Sequence, residues 1–362
     1  MLSFKKKILI ATGGTGGHVF PAYSLARNLI KENYNINIST DKRGLRFLKD
    51  YSDLKLYVIN SSTIFNKNLI YSLFSFFKII IATLKSCYLI VKTKPEIVFG
   101  MGGYSSFPVC VAAKLLGIPF FIYENNLVIG KSNKYLLPFA RKMFVSNLLL
   151  KGVKNKYKYK VFEVGNIIRQ EIIDYETKDK KKLDCLSFLV LGGSQAAQVF
   201  GNKLPKVFEV CKKNKISVKI FQQCLPDQTE KLKNVYNYLN IENEIFNFKH
   251  NLFEYFPKIN IAITRSGSSM LAELLNCNIP IICIPLPTSA DNHQLENAKY
   301  IKDQGYGFIV EENNIEKELF SLINAFHKDD GILDRIQKKQ KDYSDQNVFK
   351  KIEIHINSLI ND

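Results

Sequence analysis

Short apolar runs alternate with helix-length segments along the whole chain, and this alternation constrains the fold more than any other feature. Seven such runs lie in the first half and five in the second: KILIAT, INIST, KLYVI, EIVFG, FFIYE, KMFVS and KVFEV, then SFLVLGG, SVKIFQQ, EIFNF, NIAITRSG and IPIICIP. Runs of this kind are typical of parallel strands that are joined by helices and buried on both faces. The sequence therefore predicts an α/β protein with doubly wound parallel sheets.

The chain is long enough for two domains, because 362 residues exceed what a single core usually supports. A lysine-rich stretch, TKDKKKLDC, separates the two series of strands. We expect a first Rossmann-like domain at residues 1–165 and a second at residues 166–340. The tail, DRIQKKQKDYSDQNVFKKIEIHINSLI, has a helical pattern, and we expect residues 341–362 to pack back on the first domain. The apolar run near the N-terminus is too short for a signal peptide, which favours a cytoplasmic protein.

Three glycine-rich loops each follow a predicted strand: GGTGGH at Gly13–His18, GMGGYSS at Gly100–Ser106 and GGSQAAQ at Gly192–Gln198. Glycine lets backbone N–H groups approach an anion, and the helix that follows adds the positive end of its dipole. Open α/β sheets bind ligands at the carboxyl ends of their strands. The spacing fits neither a dinucleotide fingerprint nor a P-loop. We therefore expect two diphosphate groups, one on each side of an interdomain cleft.

Six motifs occur together in an order that resembles the MurG family, within glycosyltransferase family 28: GGTGGHVFPA, GMGGYSS, YENN, GNIIR, GGSQ and RSGSSMLAEL. The resemblance covers nearly the whole chain and implies the GT-B fold, in which two Rossmann-like domains face each other across a cleft. It implies an inverting enzyme that moves N-acetylglucosamine from UDP-N-acetylglucosamine to the muramyl 4-OH of a lipid-linked muramyl-pentapeptide, forming a β-1,4 bond in peptidoglycan synthesis. The family needs no tightly bound metal ion, and no cofactor is expected.

The resemblance also assigns roles to individual residues. Those implied to bind UDP-N-acetylglucosamine are Thr15, Gly16, Gly17, Asn126, Arg169, Ser194, Lys249, Ser268, Ser269, Met270, Leu271, Ala272, Glu273 and Gln294. Within this set, Glu273 is implied to bind the ribose hydroxyls and Lys249 to contact uracil through its backbone. Those implied to form the loops for the acceptor diphosphate are Gly13, Gly14, Gly102, Gly103 and Tyr104. Ala196 and His293 stand where the family usually has glycine and glutamine, so the detailed geometry of the donor site is expected to differ.

Transfer to a sugar hydroxyl needs a base that takes its proton, and two residues are candidates. His18 ends the first glycine loop, and an imidazole is available in its neutral form near pH 7. Glu124 ends the strand FFIYE, where its carboxylate is expected to point into the cleft. His18 is then left either to position the acceptor diphosphate or to cap the loop as a structural residue. The sequence leaves the choice of base open. No set of His, Cys, Asp and Glu residues has the spacing of metal ligands.

The apolar segment LIYSLFSFFKIIIATLKSCYLIV, residues 69–91, is long enough to span a bilayer, but its two lysines make a span unfavourable. On a helical wheel, small and polar side chains gather on one side and large apolar ones on the other. Two interpretations stay open: a core helix of a βαβ unit, and an apolar patch that rests in an anionic membrane surface with nearby lysines. The net charge of +18 favours an anionic partner, although AT-rich codon usage is a second explanation.

The leading hypothesis is a peripheral transferase on the cytoplasmic side of the inner membrane, with cell-wall synthesis or division proteins as further partners. A second hypothesis is another GT-B nucleotide-sugar transferase that acts on a different lipid or soluble acceptor. A third is a non-catalytic protein that holds a nucleotide-sugar or nucleic acid. Nucleic acid is not the expected partner, because the run KNKYKYK, residues 154–160, is more simply a solvated strand edge.

Overall fold

The computed structural model describes residues 6–49, 54–62, 69–175, 185–193, 197–249 and 251–358. The chain divides into two compact units. The N-terminal unit comprises Met1–Arg169 together with Asp345–Asp362, and the C-terminal unit comprises Gln170–Ser344. Each unit contains one parallel sheet, and each is described separately below.

The described residues of the N-terminal unit form seven strands and five α-helices before the chain leaves it. The strands are β1 (Lys7–Ala11), β2 (Asn35–Thr40), β3 (Lys55–Val58), β4 (Ile97–Gly100), β5 (Phe120–Glu124), β6 (Lys142–Val145) and β7 (Val161–Glu163). The helices are α1 (Gly16–Lys31), α2 (Lys42–Leu48), α3 (Leu69–Thr93), α4 (Ser106–Leu115) and α5 (Lys131–Leu136). All neighbouring strands are parallel, in the order β3-β2-β1-β4-β5-β6-β7. The order therefore reverses between β1 and β4.

In the C-terminal unit, the residues that the structure describes form six strands and seven α-helices. The helices are α6 (Gln170–Ile173), α7 (Gln198–Lys213), α8 (Thr229–Tyr238), α9 (Ser268–Asn276), α10 (His293–Asp303), α11 (Phe320–Lys328) and α12 (Gly331–Gln340). The strands are β8 (Leu186–Leu191), β9 (Val218–Gln223), β10 (Glu242–Phe246), β11 (Ile261–Thr264), β12 (Ile281–Cys283) and β13 (Gly307–Ile309). They are parallel and lie in the order β10-β9-β8-β11-β12-β13, so the order reverses between β8 and β11.

The expected fold class, two doubly wound α/β units, is confirmed, and every apolar run named above forms a strand. The sequence did not predict β13, a three-residue strand at the edge of the second sheet. The prediction of a strand edge at KNKYKYK was wrong, because Asn155–Lys160 forms a 3₁₀ helix that precedes β7. Both errors concern short edge elements, where a period of two has too few residues to be recognised.

The tail, which has a helical pattern, is divided between two helices. It forms α12, then a break at residues 341–347, and then a last helix, α13 (Val348–Ser358). The chain passes from the C-terminal to the N-terminal unit within this break. There the Oδ1 atom of Asp345 accepts the backbone N–H of Asn166 at 2.7 Å. Gly165 has a φ of +98°, and a Cβ atom on it would lie 2.7 Å from the same carboxylate oxygen, so this contact requires glycine.

Helix α3 buries small side chains and exposes large apolar ones, which is the reverse of an ordinary surface helix. Its small residues Ser75, Ala82 and Ser86 are buried, and the helix packs against α4. The Ser86 hydroxyl donates to the carbonyl of Ala82 at 2.7 Å, so burial leaves no unpaired hydroxyl there. On the opposite face the large side chains are exposed, among them Phe76 at 59% and Leu84 at 65%. By length and composition, Phe74–Thr93 is the one helical segment of the described residues that could cross a membrane.

Candidate active site

Two glycine-rich loops of the N-terminal unit meet where the strand order reverses. Residues 12–15 follow β1 and residues 101–105 follow β4, and these strands pair directly, with Ala11 opposite Gly100. The backbone N–H of Met101 donates to the carbonyl of Ala11 at 2.8 Å, so the two loops leave the sheet side by side. Ligands of doubly wound sheets bind at such a reversal. The motifs GGTGGH and GMGGYSS therefore form one candidate site.

His18 lies against the second of these loops. Its ring packs so closely on the backbone that a Cβ atom on Gly102 would lie 3.0 Å from the imidazole Cε1 and Nδ1 atoms. Gly102 and Gly103 have φ angles of +81° and +76°, which glycine adopts without strain. The Thr12 hydroxyl donates to the backbone carbonyl of His18 at 2.9 Å. The imidazole is therefore held between the two loops, and it is half-buried.

An acidic residue that the sequence analysis did not identify holds the first loop. Asp41 follows β2 and is buried, and its Oδ1 atom accepts the N–H groups of Gly14 and Gly44 at 3.0 and 2.8 Å. Burial raises the pKa of Asp41, but the hydrogen bonds from Gly14, Gly44 and Arg43 outweigh it, and the net pKa is lowered. Asp41 therefore stays charged and fixes Gly14 at a φ of +86°. A helix N-cap signal could have identified it, since Asp41 caps α2.

Glu124 ends β5 and is 3% exposed. Its Oε1 atom accepts the backbone and side-chain N–H groups of Asn126 at 3.2 and 3.0 Å. Its Oε2 atom accepts the backbone N–H of Gly130 and the side-chain N–H of Asn133 at 2.9 and 3.0 Å. A carboxylate has about four lone-pair sites, and these four N–H groups fill them. Glu124 therefore holds the turn that leads into α5.

Asn126, predicted to contact the donor sugar, is connected to the first loop by hydrogen bonds. The side-chain N–H of Asn126 donates to Oδ1 of Asn125 at 3.1 Å. Asn125 in turn donates to the carbonyl of Gly17 at 3.1 Å. The structure thus joins three predicted site residues, Gly17, Asn126 and Glu124, in one hydrogen-bonded chain.

The candidate site of the C-terminal unit lies at its own reversal, between β8 and β11. The backbone N–H of Arg265, which follows β11, donates to the carbonyl of Leu191 at the end of β8 at 3.3 Å. The loop after β8 begins with Gly192 and Gly193, and Gly193 has a φ of +86°. Ser194, a predicted site residue, and Ala196 lie outside the described residues. The motifs GGSQ and RSGSS therefore start from neighbouring strands.

Gln223, the last residue of β9, holds the start of the loop after β8. Its Oε1 atom accepts the N–H of Gly192 at 3.2 Å, and its Nε2 atom donates to the carbonyl of Asn247 at 3.1 Å. Gln223 and Asp41 thus have the same role. Each lies at the end of a strand next to the one that leads into the loop, and each accepts a backbone N–H of that glycine loop. Neither role was predicted from the sequence.

Arg265 is directed into the C-terminal unit. Its Nη1 atom donates to the carbonyls of Ile284 and Pro285 at 3.1 and 3.3 Å. Its Nη2 atom pairs with Glu312, and the guanidinium carbon lies 4.9 Å from the centre of the Phe200 ring. These contacts fix the turn between β11 and α9.

The N-terminus of α9 carries the longest run of predicted donor-binding residues. Gly267 is its N-cap, and Asn297 donates to the carbonyl of Ser266 at 3.0 Å, which secures the turn before the helix. Backbone N–H groups and the helix dipole make such a terminus suited to a phosphate. In this segment Ser268, Leu271, Ala272 and Glu273 are buried, whereas Ser269 and Met270 are half-buried.

Gln294 is oriented by a tightly wound loop. Its Oε1 atom accepts the backbone N–H of Leu286 at 3.0 Å, which directs the side-chain NH₂ group away from that contact. Asp291 and Asn292, just before α10, have φ angles of +51° and +54°, which are uncommon outside glycine. The Nδ1 atom of His293 lies 2.7 Å from the carbonyl oxygen of Ala290.

Lys249 has its ammonium group engaged by neighbouring side chains. It donates to Glu244 at 2.6 Å and also to the Tyr255 hydroxyl. The hydrogen bond with Glu244 is the main reason why the pKa of Lys249 is raised. Burial is the main reason why the pKa of Tyr255 is raised to about 12. The ammonium is committed to these partners, and the contact of the Lys249 backbone with uracil stays a prediction.

The other predicted residues lie at the ends of elements. Thr15 is the exposed N-cap of α1, Gly16 begins that helix, Tyr104 is half-buried in the second loop, and Arg169 is the last residue of the N-terminal unit before the boundary. Within the part of the chain that the structure describes, no three His, Cys, Asp or Glu side chains form a group that could hold a metal ion.

Comparison with known proteins shows a family match over most of the chain. The N-terminal domain of glycosyltransferase family 28 matches residues 8–145, and the C-terminal domain of the same family matches residues 187–353. A protein of Pelagibacter ubique is 34% identical over 99% of both chains. One of Rickettsia canadensis is 33% identical over 86% of this chain and 87% of its own. Both are named UDP-N-acetylglucosamine--N-acetylmuramyl-(pentapeptide) pyrophosphoryl-undecaprenol N-acetylglucosamine transferase.

Solved structures show the same fold. MurG of Acinetobacter baumannii superposes with a TM-score of 0.78 at 24% identity, over 97% of this chain and 99% of its own. A complex of MnaA from S. aureus with UDP superposes with a TM-score of 0.69 at 15% identity, over 98% and 97% of the two chains. The expected GT-B fold is thus confirmed. With both domain models matched in order and full-length relatives above 30% identity, the chain belongs to glycosyltransferase family 28.

Proposed function

We propose that this protein moves N-acetylglucosamine from UDP-N-acetylglucosamine to the muramyl 4-OH of undecaprenyl-diphospho-muramyl-pentapeptide, with inversion at the anomeric carbon. The observation that carries the proposal is the match over 99% of the chain to a transferase whose name states this donor and acceptor. The meeting of two glycine-rich loops around His18 supports it, because such loops suit a diphosphate-linked acceptor.

His18 is the general base in this proposal. The imidazole takes the proton of the 4-OH while the hydroxyl oxygen attacks the anomeric carbon and the bond from that carbon to UDP breaks. The second loop holds the ring at Gly102, so the base does not have to be ordered when the acceptor binds. Glu124 is a poorer base, because four N–H groups already occupy its oxygens. It acts as a positioning residue that holds Asn126.

The C-terminal unit supplies the donor site. The first turn of α9 directs N–H groups and the positive end of the helix dipole toward a diphosphate, which stabilises the charge that develops on departing UDP. Glu273, on the same helix, binds the ribose hydroxyls. Gln294 donates from its NH₂ group to the sugar, since its oxygen is bound by Leu286.

The exposed face of α3 brings the enzyme to its lipid-linked acceptor. Large apolar side chains, with Lys78 and Lys85 beside them, are exposed on a helix whose small residues face the unit. Apolar insertion combined with lysines suits the surface of an anionic bilayer. Our proposal places the reaction at the membrane surface, on the cytoplasmic side of the inner membrane.

Purified protein, radiolabelled UDP-N-acetylglucosamine and a short-chain lipid-linked muramyl acceptor test the proposal. Wild-type protein should form the β-1,4-linked product. His18→Ala should lower kcat by about 10²–10⁴-fold, the usual contribution of a positioned base. His327→Ala, an exposed histidine on α11, is the matched control and should be fully active. Turnover only with another acceptor would indicate a different transferase of the family, and equal activity of His18→Ala would exclude His18 as the base.

A further inference from the structure

The start of α2 is joined to the first glycine loop by two close contacts. Asp41 binds the N–H of Gly14 with the same oxygen that caps α2. A Cβ atom on Gly44 would lie 3.1 Å from the Cα atom of Gly13, so the helix and the loop touch through their backbones. Side chains at the beginning of α2 are therefore fixed relative to the loop.

This arrangement holds the Arg43 side chain beside the first glycine loop. Its Nε and Nη2 atoms donate to Oδ2 of Asp41 at 3.0 and 2.9 Å, a bidentate pair. A Cβ atom on Gly14 would lie 3.7 Å from Nη2, so the guanidinium is in van der Waals range of the loop. The bidentate pair fixes the rotamer, and an arginine held in this way loses little entropy when it binds a second partner.

Some N–H groups of the Arg43 guanidinium remain available to bind a ligand. Of its five N–H groups, two bind Asp41, and the other three make no further hydrogen bond with the described residues. The Arg43 side chain is 53% exposed, whereas that of Asp41 is 6% exposed. The negative partner is thus buried and shared with two backbone N–H groups, and the positive partner faces solvent beside the loop.

We propose that Arg43 binds the diphosphate of the lipid-linked acceptor, together with the N–H groups of the first glycine loop. This inference rests on the proposed function for its ligand, but the anion site itself does not depend on turnover. A planar guanidinium with adjacent N–H groups matches phosphate oxygens, and charge-assisted hydrogen bonds of this kind are about twice as strong as neutral ones. Asp41 is a positioning residue in this site, because it orients both Arg43 and Gly14.

Binding of inorganic pyrophosphate by the full-length protein tests the site directly. Calorimetry with saturating UDP present keeps the donor site filled. Arg43→Ala should weaken pyrophosphate binding by about tenfold or more, the scale of one charge-assisted contact. Arg43→Lys should retain part of the affinity, because lysine keeps the charge without the planar fork. Lys42→Ala is the matched control, since Lys42 is an exposed cation at the adjacent position, and it should bind like wild type.

Kinetics provide the second readout. Arg43→Ala should raise the KM for the lipid-linked acceptor by about tenfold, with kcat, the KM for UDP-N-acetylglucosamine and the melting temperature close to wild type. Unchanged pyrophosphate affinity and unchanged acceptor KM would overturn the assignment, as would equal losses in Arg43→Ala and Lys42→Ala. Pyrophosphate binding that depends on Arg43 in a protein without turnover on the muramyl acceptor would support the anion site and overturn the proposed function alone.

Discussion

At the scale of single residues, the candidate site depends on backbone positions that accept no side chain. Gly102 illustrates this, because two separate properties require glycine there: a φ of +81° and the His18 ring 3.0 Å from any Cβ atom. Replacing Gly102 should lower the free energy of unfolding because of the left-handed backbone. The added Cβ atom should also displace His18, the proposed base. The two effects can be separated by experiment, since Gly117 has a similar φ of +73° with nothing within 4 Å.

Gly102→Ala should therefore lower kcat/KM by about tenfold or more, because moving the base by even about 1 Å is costly. It should also lower the free energy of unfolding by about 1–2 kcal/mol through the left-handed backbone. Gly117→Ala should show the same loss of stability and normal activity. The measurements are urea unfolding and steady-state kinetics on both variants. Equal activity of the two would show that the contact between Gly102 and His18 is unimportant.

The sequence drew attention to the glycine loops and His18 but not to the residues that hold those loops. His18 and the glycine loops stood out because an anion-binding loop has a composition of its own. Asp41 and Gln223 did not, because each is an ordinary polar residue at or just after the end of a strand, and its role depends on which strand lies next to it. Glu124 was predicted to face the cleft, but its four N–H partners come from a turn whose course the sequence does not specify.

At the scale of elements, α3 shows how far a helical pattern can be interpreted. The pattern predicts two faces of different polarity, but it does not say which one is inward. The buried face is the small one, because α4 packs closely against it and serine and threonine bond to carbonyls of their own helix. The exposed apolar face is then available for a membrane surface.

Replacing Phe76, Phe77 and Ile80 with serine should abolish most binding to vesicles that contain anionic lipid. All three side chains are exposed, so the fold should persist. Tyr238→Ser on α8 removes an 87% exposed aromatic group from the other unit and should bind vesicles like wild type. Co-sedimentation measures binding, and circular dichroism checks the fold. Unchanged binding by a folded triple variant would remove α3 from the membrane contact.

The last helix, α13, carries a histidine that makes its docking sensitive to pH. The ring of His355 lies 5.2 Å from that of Phe144 and 4.7 Å from that of Phe162. The Lys142 ammonium lies 3.2 Å from its Nδ1 atom, which accepts a hydrogen bond when the ring is neutral. Burial, and then the charge of Lys142, lower the pKa of His355 below its ordinary value. The folded protein therefore favours the neutral ring.

Because the unfolded chain binds this proton more readily, the stabilisation due to neutral His355 is complete above about pH 6.5 and is lost as the pH falls toward the lowered pKa. Within that window the free energy of unfolding should fall as the pH falls. His355→Gln should remove this dependence, whereas His327→Gln, at an exposed position, should keep it. Urea titrations of the three proteins across this range measure the difference, and identical pH profiles would contradict the assignment.

At the scale of the whole molecule, the same arrangement of strands and glycine loop occurs in both units. In each, the strand order reverses beside a glycine loop, and a side chain from the next strand holds the first part of that loop. The alternation of strands and helices predicted the repeated doubly wound sheet, since such a sheet needs only local crossovers, but it did not predict the side chains that hold the loops. Residues 341–362 were expected to pack on the first domain, and Asp345–Asp362 belong to the N-terminal unit. The contacts of Asp345 with Gly165 and Asn166 at this return were not predicted, because they depend on which strand end lies beside the chain.

Each unit has its own sheet, with its own candidate site at the carboxyl ends of the strands. We therefore expect donor binding and acceptor binding to respond to different substitutions. Glu273→Gln, in the C-terminal unit, should weaken binding of UDP by about tenfold or more, because a charge-assisted hydrogen bond to the ribose is lost. His18→Ala and Gly102→Ala, in the N-terminal unit, should leave UDP binding unchanged although they impair turnover. Glu230→Gln, an exposed acid in the first turn of α8, is the matched control for removing a negative charge. Calorimetry with UDP on the four variants measures this division, and weaker UDP binding in His18→Ala would show that the N-terminal unit also holds the nucleotide.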